Sequence, residues 1–290
     1  ELESLQRALP EAFRTTPAQR AYWHEQMARV ASASKLWQAV VFHVTRCLQL
    51  QPSLPESPTG DQLLTLRGDA LAQLGRFGEA ESDFQRAAQI DPWNLSSWLL
   101  WGSAALAQDR TNAYSEICEK AFAHFTDSTN TDSTTLQLER AVVAGYASYP
   151  GLPDYSLPLR FIDELLQAHK DSPGIQGLTI RGKLQYRVGA PQKAIEDLER
   201  ADQDDPETFF FLAMALHQLG NRDKAVEQFE HGVQLIEKIE KSDGLDWYAR
   251  IQNEVERKEA AAVLGIPASP SPAASSPAKT SQIRGSASEH

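Results

Sequence analysis

The chain has 290 residues, 41% hydrophobic and 23% charged, enough for one long or two ordinary domains with a sizeable buried core. Its 28 Lys and Arg against 39 Asp and Glu leave a net charge of −11, which argues against the cationic surface that phosphate-backbone binding requires. Two cysteines, Cys47 and Cys118, build neither a disulfide framework nor a multi-cysteine zinc site, and the longest nearly apolar runs, Trp98 to Ala107 and Phe209 to Leu216, fall short of the ~20 residues that cross a bilayer.

No charged segment followed by an apolar one opens the chain, so no secretion signal is visible. The first residue is Glu1 rather than Met, and residues 1–20 read as the remnant of an upstream linker. A helix pair is expected over 21–54, where Val40, Val44 and Cys47 recur at helical spacing before Pro52, and Lys35 stands at its turn. A second pair, 61–94, is the clearest. Leu63, Leu64, Leu66, Leu71 and Leu74 stop at Gly75, and Ala80, Phe84, Ala87, Ala88 and Ile90 stop at Asp91-Pro92. Further pairs are expected over 95–128, 133–173, 175–206 and 206–239. Between them, Thr126 to Thr135 reads as a polar loop or cap, and Tyr149-Pro150-Gly151-Leu152-Pro153 as a break. Asp246 to Leu264 reads as an amphipathic, heavily charged helix that caps the array. Residues 266–290, rich in Pro, Ser and Ala, cannot bury enough surface to offset their ordering entropy and are expected to be disordered.

The pairs repeat one pattern. Gly68, Gly75, Ala80, Phe84, Ala87 and Pro92 follow one another at gaps of 7, 5, 4, 3 and 5, and so do Gly182, Gly189, Ala194, Leu198, Ala201 and Pro206. A partial third copy is Ala213, Gly220, Ala225, Phe229 and Gly232. Each position has a mechanical reason. Gly75 can take the left-handed conformation that closes a helix, and Gly68 and Ala80 are small where two helices approach beside Phe84. A unit of about 34 residues built this way is a helix–turn–helix that stacks on its neighbours.

This series resembles the tetratricopeptide repeat, most strongly at Asp61 to Asn94 and well at Ile175 to Pro206 and Pro206 to Ile239. The resemblance implies an all-α, right-handed superhelical solenoid of antiparallel helix pairs, with a C-terminal capping helix and a disordered tail. In style, Tyr22-Trp23-His24, Trp37 to His43, Phe209 to Gly220 and Trp247 with its charged helix resemble the C-terminal repeat region of large bacterial multidomain proteins. There the repeats follow a WD40 propeller, a serine/threonine kinase domain, or both. Within this chain no Gly-rich loop, His-Arg-Asp or Asp-Phe-Gly motif occurs.

No catalytic constellation is visible. None of the seven histidines stands at a metal-ligand spacing from another histidine or a carboxylate, and Cys47 fills the slot of Ala87 and Ala201, as a small buried filler does. Trp98 and Trp101 read as inter-helix packing rather than as a base-stacking platform. Binding is the better reading, because stacked pairs leave a continuous concave wall. The resemblance places on it Asp69, Gln73, Ser103, Lys183, Tyr186, Arg187, Phe210, Met214, His217 and Gln218. Lys183, Tyr186 and Arg187 share one helical face and, beside Phe210 and Met214, suit an extended peptide bearing acidic residues; an ordinary solvated face is the alternative. The expectation is a non-catalytic, cytoplasmic scaffold for a protein or peptide partner, without cofactor, metal, membrane or nucleic acid. A docking part of a kinase or WD40 protein and a self-assembly module stand as alternatives.

Overall fold

The computed structural model describes residues 16–51, 60–126, 152, 154–168, 175–241 and 246–267. These form twelve helices and, among the described residues, no strand. They are α1 (Pro17–Ala33), α2 (Trp37–Leu50), α3 (Gly60–Gln73), α4 (Phe77–Ile90), α5 (Leu95–Leu106) and α6 (Thr111–Thr126), then α7 (Ser156–Ala168), α8 (Ile175–Arg187), α9 (Pro191–Leu198), α10 (Pro206–Gln218), α11 (Arg222–Lys241) and α12 (Trp247–Leu264). Helices pack as pairs, α1 on α2, α3 on α4, α5 on α6, α8 on α9 and α10 on α11, while α2 packs on α3, α4 on α5, α7 on α8 and α9 on α10, giving an all-helical solenoid of tetratricopeptide type. The expected polar loop after Thr126, most of the break at 149–153, the first half of the 133–173 unit and residues 268–290 of the tail lie outside the described residues.

One turn closes five of the pairs. In α3–α4 the N–H of Arg76 donates to the carbonyl of Leu71 at 2.8 Å, across Gly75 at φ +74°. The same bond recurs at Ala190 to Gln185 across Gly189 (φ +76°) and at Asn221 to Leu216 across Gly220 (φ +79°). It recurs also without glycine, at Leu36 to Ala31 across Lys35 (φ 54°) and at Arg110 to Ala105 across Asp109 (φ 55°). Satisfying the same orphan carbonyl of the helix end outweighs the side-chain cost of the left-handed conformation, about 1–2 kcal/mol.

Small residues set the closeness of each pair. A Cβ on Gly68 would lie 2.7 Å from the Phe84 ring, and one on Gly182 only 2.6 Å from Leu198 Cγ. A polar clamp, absent from the sequence reading, repeats beside them. Arg67 binds Asp83 through two hydrogen bonds of 2.7 and 2.6 Å, and Arg181 binds Asp197 with the same pair of lengths. Such forked pairs are geometrically selective as well as charge-assisted. Between units, the hydroxyls of Thr65 and Ser97 meet at 3.3 Å, and those of Thr179 and Thr208 at the same distance. Cys47 and Cys118 are buried fillers, and burial pushes their thiols up to about 11 and about 12.

Candidate functional site

Asp69, Lys183 and Arg187 lie on the first helices of their pairs, α3 and α8, and all three bind α12. The capping helix expected from the sequence does pack on the last pair, α10 and α11, but it also reaches back to α5. Its two ends are held by different chemistry. At the N-terminal end, Trp247 is buried; its ring stacks on Phe84 with centroids 6.0 Å apart at 11°, and its indole N–H donates to Asp69 Oδ1 at 2.7 Å. Burial raises the pKa of Asp69 and nearby Asp246 adds to this, while the Trp247 hydrogen bond opposes it. Tyr248, Ile251 and Val255 continue the contact over a core that includes Leu71, Ala72, Trp101, Ala104 and Ala105.

Farther along α12 the contact is ionic. Lys183 Nζ lies 2.7 Å from Glu256 Oε1 and 2.6 Å from Glu207 Oε2, and the side chains of Lys183 and Glu256 are each only 5% exposed. Burial disfavours the ammonium, yet the two carboxylates more than offset it and raise the Lys183 pKa. Glu256 is pushed up to about 8, first by burial and then by the Glu207 carboxylate, against the pull of Lys183. Asp205, which caps α10 through the N–H of Glu207, is raised to about 7 by burial and Glu207. One turn on, Arg187 grips Glu259 with both terminal guanidinium nitrogens, the Nη2 to Oε2 bond being 2.6 Å, and stands 4.9 Å from the centre of the Phe211 ring. The apolar tail of α12, Ala260, Ala261 and Leu264, closes the core of the last pairs.

The other wall residues divide. Tyr186 is half-buried and packs edge-on to Phe211 at 5.7 Å. Gln73 and His217 are half-buried and Gln218 is exposed. Ser103, Phe210 and Met214 are 0% exposed. Phe210 points into the α10–α11 pair, against Phe229 and the place where a Cβ on Gly232 would stand, so it presents no surface to a partner. Trp98 and Trp101 pack together at 5.7 Å, and the Trp98 indole donates to the Pro92 carbonyl at 2.9 Å.

The pairing of two histidines also escaped the sequence reading. His24 and His43, on α1 and α2, bring their Nδ1 atoms to 2.9 Å. Burial lowers both pKa values, and His43, Arg46 and Arg20 lower that of His24 further. Beside them Tyr22, Trp23 and Phe42 are 65%, 49% and 55% exposed. Among the described residues, no three His, Cys, Asp or Glu side chains are grouped so as to hold a metal, and no helix is long and apolar enough to cross a membrane.

The tetratricopeptide repeat family model matches residues 62–92 and again 206–239, the segments that form α3–α4 and α10–α11. This chain carries tetratricopeptide repeats. A search of the curated proteins finds no match. Among solved structures, the type IV pilus biogenesis factor PilW is similar at 14% identity and TM-score 0.46, over 81% of this chain and 99% of that one. A tetratricopeptide repeat protein from Parabacteroides merdae ATCC 43184 is similar at 12% identity and TM-score 0.43, over 85% and 99%. MamA from Desulfovibrio magneticus RS-1 is similar at 13% identity and TM-score 0.43, over 76% and 96%.

Proposed function

We propose that this repeat array is a non-catalytic scaffold that docks a peptide or partner protein on the concave wall formed by its first helices. The observation that carries the reading is the seat of α12. Asp69, Lys183 and Arg187, placed on the wall by the resemblance, act together as recognition groups for a single helix. A preformed wall of rigid helices lowers the entropic cost of association, since few side chains remain to be ordered. Gln73, Tyr186, His217 and Gln218, placed on the wall by the resemblance, are the further contact residues in this reading. The experiment is site-specific photo-crosslinking in cells of the source organism, with the crosslinker at Gln73 or Gln218 and a control at Gln89 on the exposed face of α4. A partner trapped from the two wall positions and not from Gln89 supports the reading. Trapping from Gln89 alone, or from none of the three, overturns it.

A second reading, as the docking part of a longer cytoplasmic kinase or WD40 protein, draws support from the exposed Tyr22, Trp23 and Phe42 on the first pair. An apolar patch of this kind suits contact with a neighbouring domain. Hydrogen exchange of α1 and α2, compared with and without any coding sequence found upstream in frame, tests it. Unchanged protection there would refute it.

A further inference from the structure

Resting on the scaffold reading, we propose that the seat of α12 is a receptor for an amphipathic helix from another protein, bearing one tryptophan and two acidic or amide side chains at the spacing of Trp247, Glu256 and Glu259, and that α12 is its displaceable resident. The seat is built from repeat side chains. Asp69 and Phe84 form the aromatic end, and Lys183 and Arg187 form the ionic end. Both ends stand on helix pairs that close without α12, through Gly68 on Phe84 and Gly182 on Leu198.

The resident fills this seat imperfectly, and two of the flaws lie on the resident itself. Asn253 Oδ1 and Glu256 Oε2 are buried with no hydrogen-bond partner. Glu256 also competes with Glu207 for the single ammonium of Lys183, with Asp205 close by. A buried polar atom without a partner costs its full desolvation, so a helix with an apolar residue at the Asn253 position and an amide at the Glu256 position fits better. This argues for a foreign helix over a second copy, because a copy brings the same two flaws and gains nothing on the tethered resident. Tethering is the resident's advantage. It raises the local concentration of α12, so an incoming helix must bind more tightly than α12 does to displace it.

The test uses the full chain and a labelled synthetic peptide spanning residues 246–266 with Asn253→Leu and Glu256→Gln. Fluorescence anisotropy should show the substituted peptide binding at least about ten-fold tighter than the unsubstituted one, the gain expected from removing one buried unpaired group. Arg187→Glu in the chain should weaken it about ten-fold or more, and Glu259→Arg in the peptide should restore it. On the unmodified chain, the substituted peptide should speed hydrogen exchange of α12 while leaving α10 protected. Failure of the peptide to bind, binding with α12 still protected, or dimers that exchange α12 between two chains would each overturn the proposal. If the peptide fails while wall crosslinks still trap a partner, the scaffold reading stands and this one falls.

Discussion

Replacing Trp247 separates the two halves of its role. Trp247→Ala removes a buried aromatic side chain, which costs about 3–5 kcal/mol, and deprives Asp69 of its donor, which adds about 1–3 kcal/mol. Trp247→Phe keeps a ring against Phe84 and loses the N–H, so mainly the second cost, about 1–3 kcal/mol, applies. Both act first on the docking of α12, which packs on α5, α10 and α11. Hydrogen exchange resolves this, because each 1.4 kcal/mol of lost docking speeds exchange from the open state about ten-fold. The α12 amides should exchange roughly ten- to hundred-fold faster in Trp247→Phe and more than about a thousand-fold faster in Trp247→Ala. Equal effects of the two substitutions, or α12 protection unchanged by either, would refute the anchoring argument.

Other perturbations give distinct signatures. Gly182→Ala drives a Cβ to 2.6 Å from Leu198 Cγ and 3.3 Å from the Ala194 carbonyl, so urea unfolding should show about 1–3 kcal/mol of lost stability. Gly189→Ala meets no atom within 4 Å but keeps φ at +76°, so its loss should be near 1 kcal/mol; a larger loss than at Gly182 would contradict the packing account. The carboxyl of Glu256, raised to about 8, binds more protons when α12 is docked than when it is free. Docking is therefore favoured at low pH and weakens as pH rises through that value, by at most about 1.4 kcal/mol per pH unit for the one proton released. Protection of α12 should fall between pH 6 and 8.5, and a rise would reverse the assignment of this group. Lys183 and Arg187 face the same cluster and keep their charges over that range, so they set its level and not its slope. His24 and His43 have lowered pKa values, so the first pair is most stable above the ordinary histidine pKa and loses stability as pH falls below it. Trp23, 5.5 Å from His43, reports this by fluorescence, and substituting both histidines by Gln should remove the acid dependence.

The repeat was readable because each of its positions answers a local demand. Gly75, Gly189 and Gly220 mark left-handed turns, and Gly68 and Gly182 mark close approaches, so their spacing alone locates the pairs. Lys35 and Asp109 make the same turn with no glycine to announce it, because the hydrogen bond to the preceding helix end fixes the conformation. The Arg67–Asp83 and Arg181–Asp197 clamps were in principle legible. Each Arg precedes its repeat glycine and each Asp precedes the residue packed on that glycine, in both copies. The tetratricopeptide resemblance also pointed to Asp69, Lys183 and Arg187, but not to what they hold. Helical periodicity gives an amphipathic stripe on α12 without naming the surface that receives it. The burial of Phe210 and Met214 followed the same logic: α10 is apolar on every side because α11 covers one flank and α12 another. The Lys183–Glu256 and Arg187–Glu259 matches join residues far apart in sequence, where charge complementarity alone has too many alternatives to choose among.

The placement of α12 on the first helices is tested most directly by a double-mutant cycle between Arg187→Gln and Glu259→Gln, measured by urea unfolding of the full chain. The two side chains lie on α8 and α12 and meet only if the helix occupies this seat. A largely buried, forked pair should give a favourable coupling of at least about 1.5 kcal/mol, beyond what independent sites show. Additive effects, with a coupling within about 0.3 kcal/mol of zero, would mean that α12 does not sit where the structure places it.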